Sequence, residues 1–236
     1  VLGVTNPQNV KYAVENNVSL TCPSKEWLEE SLVQLQQIEG KLKIHVKIDT
    51  GMGRIGASDI KELEQIDNLL DSEKLEFEGI FSHYSNADGE DDNYDNYQTE
   101  NFENALNVFT HKSKYIHIEN SAGTVKYSDR EDCYNLSRIG IALYGCYPSG
   151  NIEKLDKVQL EPVATLISKV THVKKFLVGQ KLGYGVSYKA KQDEYIATVP
   201  IGYADGLLRR AQGFKIRVGS EECEIVGRVC MDQLMV

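Results

Sequence analysis

The sequence predicts an α/β fold: a (β/α)8 barrel of TIM type, N-terminally incomplete, over residues 1–155, then a mainly-β domain over 156–236. Three observations predict it. Short apolar runs alternate with helix-like stretches up to about residue 150. Those runs are apolar on both faces, as strands of a covered parallel sheet are. Beyond residue 150 the runs crowd together with only turns between them.

The strand candidates of the first part are residues 1–4, 18–22, 43–49, 77–83, 115–119 and 139–144. Between them, Ser24 is placed to cap a helix whose Trp27, Leu28, Leu32 and Leu35 share one face. Asp59 with Glu62 forms a capping arrangement before Leu63, Ile66 and Leu70. Phe102, Ala105, Leu106 and Phe109 recur at helical spacing and face a core. The acidic run from Asp88 to Asp95 is a solvated loop leading into that helix. A complete barrel takes ~250 residues, so the first part is a portion of one. After residue 150 a charged connector at 151–160 precedes β-rich segments at 163–173, 195–200, 214–218 and 223–229. Residues 1–4 and 231–236 both read as strands, and domains seldom begin or end inside core strands. The expectation is a chain cut at both ends.

Composition narrows the function. With 41% hydrophobic and 26% charged residues the chain is an ordinary globular one. A net charge of −9 with no basic stripe argues against nucleic acid as a partner. No apolar run has the roughly 18 residues of a membrane span, and no secretory leader is visible. The five cysteines (Cys22, Cys133, Cys146, Cys223, Cys230) are widely spaced. They suggest reduced, mostly buried thiols in a cytoplasmic protein, with no disulfide framework and no metal site.

Polar side chains gather at strand ends, where barrel enzymes build active sites. Lys47, Asp49 and Arg54 follow one strand, with glycines between them. His83 ends another, and His117 a third, ahead of Asn120 and Ser121. Ser121 with the amides of Gly140 and Ile141 could cradle a phosphate, with Arg138 beside them. The second part carries Tyr184 between two glycines, then Tyr203 and Met231.

Seven stretches, in order, carry a resemblance: KIDTGMGRIG (47–56), FSHYSNAD (81–88), HIENSAG (117–123), SRIGIALYG (137–145), LGYGVSY (182–188), PIGYADG (200–206) and VGRVCMDQ (226–233). Together they resemble the bacterial alanine racemases. The resemblance implies a pyridoxal 5'-phosphate (PLP) enzyme, a barrel followed by a β domain, and a homodimer with shared active sites. It implies interconversion of L- and D-alanine for cell-wall peptidoglycan by two bases. Tyr184, supplied by the partner subunit, would be one base, supported by His83 and Arg138. The other would be the family's cofactor lysine, whose KANAYG-like motif this sequence lacks. His117, Ser121, Arg138, Gly140 and Ile141 would bind the cofactor. Arg54, Tyr203 and Met231 would face the substrate, with Asp232 near the same entrance. Lys47 corresponds to a lysine that the family often carbamylates. Two alternatives stay open: a serine or broad-specificity racemase of the same fold, and a catalytically inactive PLP-fold fragment.

Overall fold

The computed structural model describes residues 1–130 and 134–236. These fall into two compact units, Val1–Ala164 and Thr165–Val236. Cys133 lies outside the described residues.

The first unit alternates strand and helix. Helix α1 (Val10–Glu15) precedes β1 (Leu20–Cys22), followed by α2 (Lys25–Leu35), β2 (Leu42–Lys47), α3 (Ile60–Leu69) and β3 (Leu75–Phe81). Then come α4 (Asn93–Leu106), β4 (Tyr115–His117), α5 (Ser121–Lys126) and α6 (Gly150–Lys154). All four strands run parallel in the order β1-β2-β3-β4. Parallel neighbours need a crossover between them, and α2, α3 and α4 provide it.

The helices start where their caps dictate. Ser24 Oγ accepts the Trp27 amide at 3.2 Å, and Asp59 Oδ1 accepts the amides of Lys61 and Glu62 at 2.7 and 3.1 Å. Trp27, Leu28, Leu63, Ile66 and Phe102 turn inward onto Ile44, Val46, Ile48 and Ile80 of the sheet, forming one apolar core. That core covers the sheet and leaves the strand ends to carry polar groups.

The second unit is antiparallel. Strand β8 (Glu194–Val199) lies between β5 (His172–Phe176) and β11 (Leu234–Met235). Two hairpins accompany it, β6 (Lys181–Leu182) with β7 (Tyr188–Lys189), and β9 (Lys215–Val218) with β10 (Glu221–Glu224). Its cores are small, one around Val199, Ile225 and Leu234 and another around Phe176, Leu182 and Ile196.

Several expected elements differ. Residues 1–4 form no strand: Val1 and Leu2 are exposed, and the terminal amine on the Ser19 carbonyl and the Thr21 hydroxyl on the Val1 carbonyl tie the segment to the neighbourhood of β1. The run 139–144 is a 3-10 turn at Ile141–Tyr144, because Gly140 at φ −109°, ψ −96° breaks the extended path. Residues 163–170 are exposed and irregular, and the strand itself begins at His172. The connector opens as helix α6, capped by Ser149 on the Ile152 amide at 3.4 Å. The run 223–229 is strand only to Glu224, and α4 stops before Phe109. Of the four described cysteines only Cys22 is buried, and Cys146 is exposed, which corrects the expectation of mostly buried thiols.

Candidate active site

In the first unit the polar groups converge on the ends of β2, β3 and β4. Lys47 closes β2 and is 2% exposed. Its Nζ donates to the Ile48 carbonyl at 2.6 Å and lies 5.5 Å from the centre of the Phe81 ring. Burial pulls its pKa down to about 8, against the opposing pull of Asp49; Arg138 and Arg54 lower it further. Asp49 Oδ1 accepts the amides of Gly51 and Gly53, both at 3.0 Å, so the loop that leads to Arg54 folds back on the strand end.

Arg138 is the hub. Its Nη1 donates to His117 Nδ1 at 2.6 Å. Its Nη2 meets the carbonyls of Ser82 (2.7 Å) and Ile118 (3.0 Å) and His83 Nδ1 (3.0 Å). Burial and then Arg54 pull it down to about 10, against Glu119, so it stays a cation at neutral pH. The same cation acts back on both histidines. Burial first and Arg138 second push His83 down to about 4 and His117 down to about 3. Both rings are therefore neutral, and each presents a lone pair to the guanidinium, because Arg can only donate. The His117 ring lies flat on Phe81, with centres 4.8 Å apart and 7° between planes.

Ser121 begins α5, behind Asn120, which caps the Gly123 amide at 3.0 Å. Its buried Oγ accepts the Gly140 amide at 2.8 Å and the Ala142 amide at 3.4 Å. The fold thus joins Ser121 and Gly140 across 19 residues of sequence. The Ile141 side chain is exposed.

The second unit arranges its candidates differently. Tyr184 occupies a one-turn 3-10 segment between β6 and β7, flanked by Gly183 at φ +73° and Gly185 at φ +69°. Only glycine enters that left-handed region cheaply, so the phenol is held out on a sharp turn and is 67% exposed. The amide of Tyr203 donates to the Cys230 carbonyl at 3.1 Å and that of Ala204 to the Met231 carbonyl at 2.8 Å. Tyr203 and Met231 therefore sit side by side, 47% and 61% exposed.

Two members of the first cluster escaped the sequence reading. His45 Nδ1 lies 2.8 Å from His117 Nε2, and His45 Nε2 lies 3.1 Å from Glu78 Oε2. A signal for His45 existed: it precedes Lys47 by two residues, so the period of a strand puts both on one face.

The family model of the alanine racemase N-terminal domain matches residues 1–148, and that of the alanine racemase C-terminal domain matches residues 163–236. The alanine racemase of Lactococcus lactis is 43% identical over the whole chain. The chain spans 63% of that relative's length. The crystal structure of alanine racemase from Bacillus anthracis with bound L-Ala-P superposes with a TM-score of 0.87 at 40% identity, over all of this chain and 61% of that one. A histidine racemase from Leuconostoc mesenteroides superposes with a TM-score of 0.85 at 29% identity, over all of this chain and 63% of that one. These neighbours carry the same combination of TIM-type barrel and β domain.

Proposed function

Since the chain belongs to the alanine racemase family, we propose that the protein interconverts L- and D-alanine with PLP, providing D-alanine for cell-wall peptidoglycan. The observation that carries the proposal is the Arg138 hub, with its two neutral histidines and the Ser121–Gly140 junction nearby in sequence. We place the reaction in the cytoplasm and the protein in a homodimer with shared sites. Among the described residues no helix is long and apolar enough to cross a membrane.

The residues fit PLP. The Cβ position of Gly140 is open, with Ser121 Oγ at 3.8 Å as its nearest neighbour, which leaves room for a phosphate beside a hydroxyl and backbone amides. Ser121, Gly140 and Ile141 would hold that phosphate. Arg138 would meet the pyridine nitrogen, with His117 beside it. When bound, PLP supplies the electron sink that lets the substrate Cα lose its proton.

The chain's own groups then have defined tasks. Arg138, always a donor, would hold the pyridine nitrogen of PLP without protonating it, which would temper the electron sink that PLP supplies. Arg54, on the loop pinned by Asp49, pairs with the substrate carboxylate. Lys47 at about 8 keeps a fraction of its amine neutral at pH 7. A neutral amine can add carbon dioxide and release a proton, and the resulting carbamate anion would orient Arg54. Tyr184 of the partner subunit moves the Cα proton on one face, with His83 and Arg138 placed to orient its hydroxyl. A lysine outside this chain serves the other face. Tyr203 and Met231 of the partner subunit line the substrate entrance, with Asp232 close by in sequence.

The test is the appearance of D-alanine from L-alanine, followed by chiral chromatography, for the protein at its full natural length with PLP. Absence of racemisation for alanine, with serine or histidine turned over instead, would overturn the substrate assignment. The likeness to a histidine racemase is the reason for including the latter. No turnover of any amino acid would leave the inactive reading standing.

A further inference from the structure

We infer that Glu78 is a positioning residue: together with Arg138 at the other end, it locks the direction of a hydrogen-bonded chain through His45 and His117. Its bearing on racemisation rests on the function proposed above; the chain itself stands on geometry alone.

The fold makes a special arrangement to place Glu78. Ile44 of β2 pairs with Phe77, but the next residue, His45, pairs with Gly79, so Glu78 is an extra residue in β3. A bulge of this kind re-aims a side chain that regular pleating would send elsewhere. Gly79 completes the device. A Cβ there would lie 2.3 Å from His45 Nδ1, so any other residue would displace the ring. With both features in place the His45 ring spans from Glu78 to His117 and stacks on Tyr115 at 6.1 Å, 16° between planes.

The direction follows from what each end can do. Arg138 can only donate, so His117 Nδ1 is a lone pair at 2.6 Å. Neutral His117 then carries its proton on Nε2 and donates to His45 Nδ1 at 2.8 Å. His45 in turn carries its proton on Nε2 and donates to Glu78 Oε2 at 3.1 Å. An ionised carboxylate accepts only, so both ends demand the same polarity. Reversing it, or protonating His45 on both nitrogens, would set N–H against N–H at some link. Ser19 Oγ donates to the same Oε2, and Lys43 Nζ stands 3.9 Å from Oε1, so the carboxylate is anchored from two sides. Burial works to raise Glu78, and the bonds from Ser19 and His45 outweigh it, which keeps it ionised.

The consequence is a fixed guanidinium. One Nη1 hydrogen goes to His117 and Nη2 serves Ser82, Ile118 and His83. Among the described residues no acceptor meets the second Nη1 hydrogen or Nε–H, so these could serve a ligand. Without Glu78 the polarity rests on Arg138 alone, and a reversed His45–His117 link is opposed only by the cost of displacing the guanidinium. The reversed one turns a donor toward Arg138 and pushes the guanidinium out of place.

The test is 15N NMR of the histidine rings in the protein without cofactor. In the wild type His45 and His117 should each be protonated on Nε2 only, unchanged from pH 5.5 to 8. Glu78→Ala should replace the single His117 tautomer by a mixture while leaving the melting temperature within a few degrees. Glu78→Gln, whose carbonyl still accepts, should restore the single form. If Glu78→Ala does not fold, His45→Phe, which keeps a ring in place, should produce the same mixture at His117. A wild-type His117 protonated on Nδ1, or a His117 signature untouched by Glu78→Ala, would overturn the inference. These spectra need no turnover, so a protein that shows them and racemises nothing would refute the proposed function and leave the positioning role intact.

Discussion

The two units prepare their functional side chains in opposite ways. In Val1–Ala164 the central candidates are buried and bound: Lys47, His117 and Ser121 are each at most 5% exposed and Arg138 reaches four acceptors, while Arg54, Gly140 and Ile141 lie at the surface. In Thr165–Val236 the candidates stand out in solvent, with Tyr184 67% and Met231 61% exposed. Buried groups are preorganised by their own unit, and their ionisation is set by it. Exposed groups on sharp turns are presented, and their chemistry depends on what covers them. The contrast agrees with the site proposed above, in which one surface would hold the cofactor and another would deliver a base.

The largest effect should come from the presented side. Tyr184→Phe should lower the racemisation rate at least ~100-fold, the lower range for loss of a general acid–base group. It should leave the melting temperature unchanged, because the phenol is mostly exposed. A variant that retains the wild-type rate would remove Tyr184 from the mechanism and dissolve the contrast.

Stability should show the converse. Phe102 is fully buried between α4 and the sheet, so Phe102→Ala should cost ~3–5 kcal/mol in urea unfolding. Tyr195→Ala, at a ring 72% exposed on β8, should stay within ~0.5 kcal/mol. Equal losses would mean that the second unit owes more to its surface than its small cores suggest.

The same contrast governs what the sequence discloses. Strands β2 and β3 are legible because Leu42, Ile44, Val46 and Ile80 are apolar in a region whose both faces are covered. The identical signal misleads at 139–144 and 163–173, where Leu143, Leu166 and Ile167 are 68%, 78% and 82% exposed. An apolar run says that a segment wants cover, and it does not say that a strand forms. The placement of the candidates Lys47, His83 and His117 at or just beyond strand ends is legible from their position alone. Glu78 is not, because its role depends on a bulge, and pairing register is a property of two strands that neither sequence states.

Lys47 sharpens the comparison through pH. Its folded pKa of about 8 lies below the ordinary 10.5, so between those values the unfolded chain binds more protons. Stability should therefore rise with pH through that window. The cost of burying the ammonium is fully present below pH 8 and relieved above it. Urea midpoints from pH 7 to 10 in buffer free of carbon dioxide should show this rise in the wild type relative to Lys47→Met, whose curve lacks it. Carbon dioxide should flatten the difference if the amine is carbamylated. No difference in any buffer would mean that Lys47 reaches solvent.

The smallest effect tests whether the first unit's charge control extends beyond the site. His111 follows α4 and clamps the end of α3: its Nδ1 donates to Asp67 Oδ1 at 2.9 Å and its Nε2 to Asp71 Oδ1 at 3.1 Å. Asp67 is buried and also accepts the amide and hydroxyl of Thr110, so it holds the segment that leads into β4 and His117. Two donations from one ring require the cation, and the hydrogen bond to Asp67 raises the His111 pKa above 6.5 despite burial. A raised folded pKa stabilises fully below the unfolded value and is lost as pH climbs through the folded one. Asp67 lies below its usual range and stays ionised throughout that interval. His111→Asn should thus lower the melting temperature at pH 5.5 and have little effect at pH 8.5, with solvent screening keeping the loss small. A deficit equal at both pH values would show that the ring acts by packing alone. The charge-set order of the first unit would then be confined to the ends of its strands.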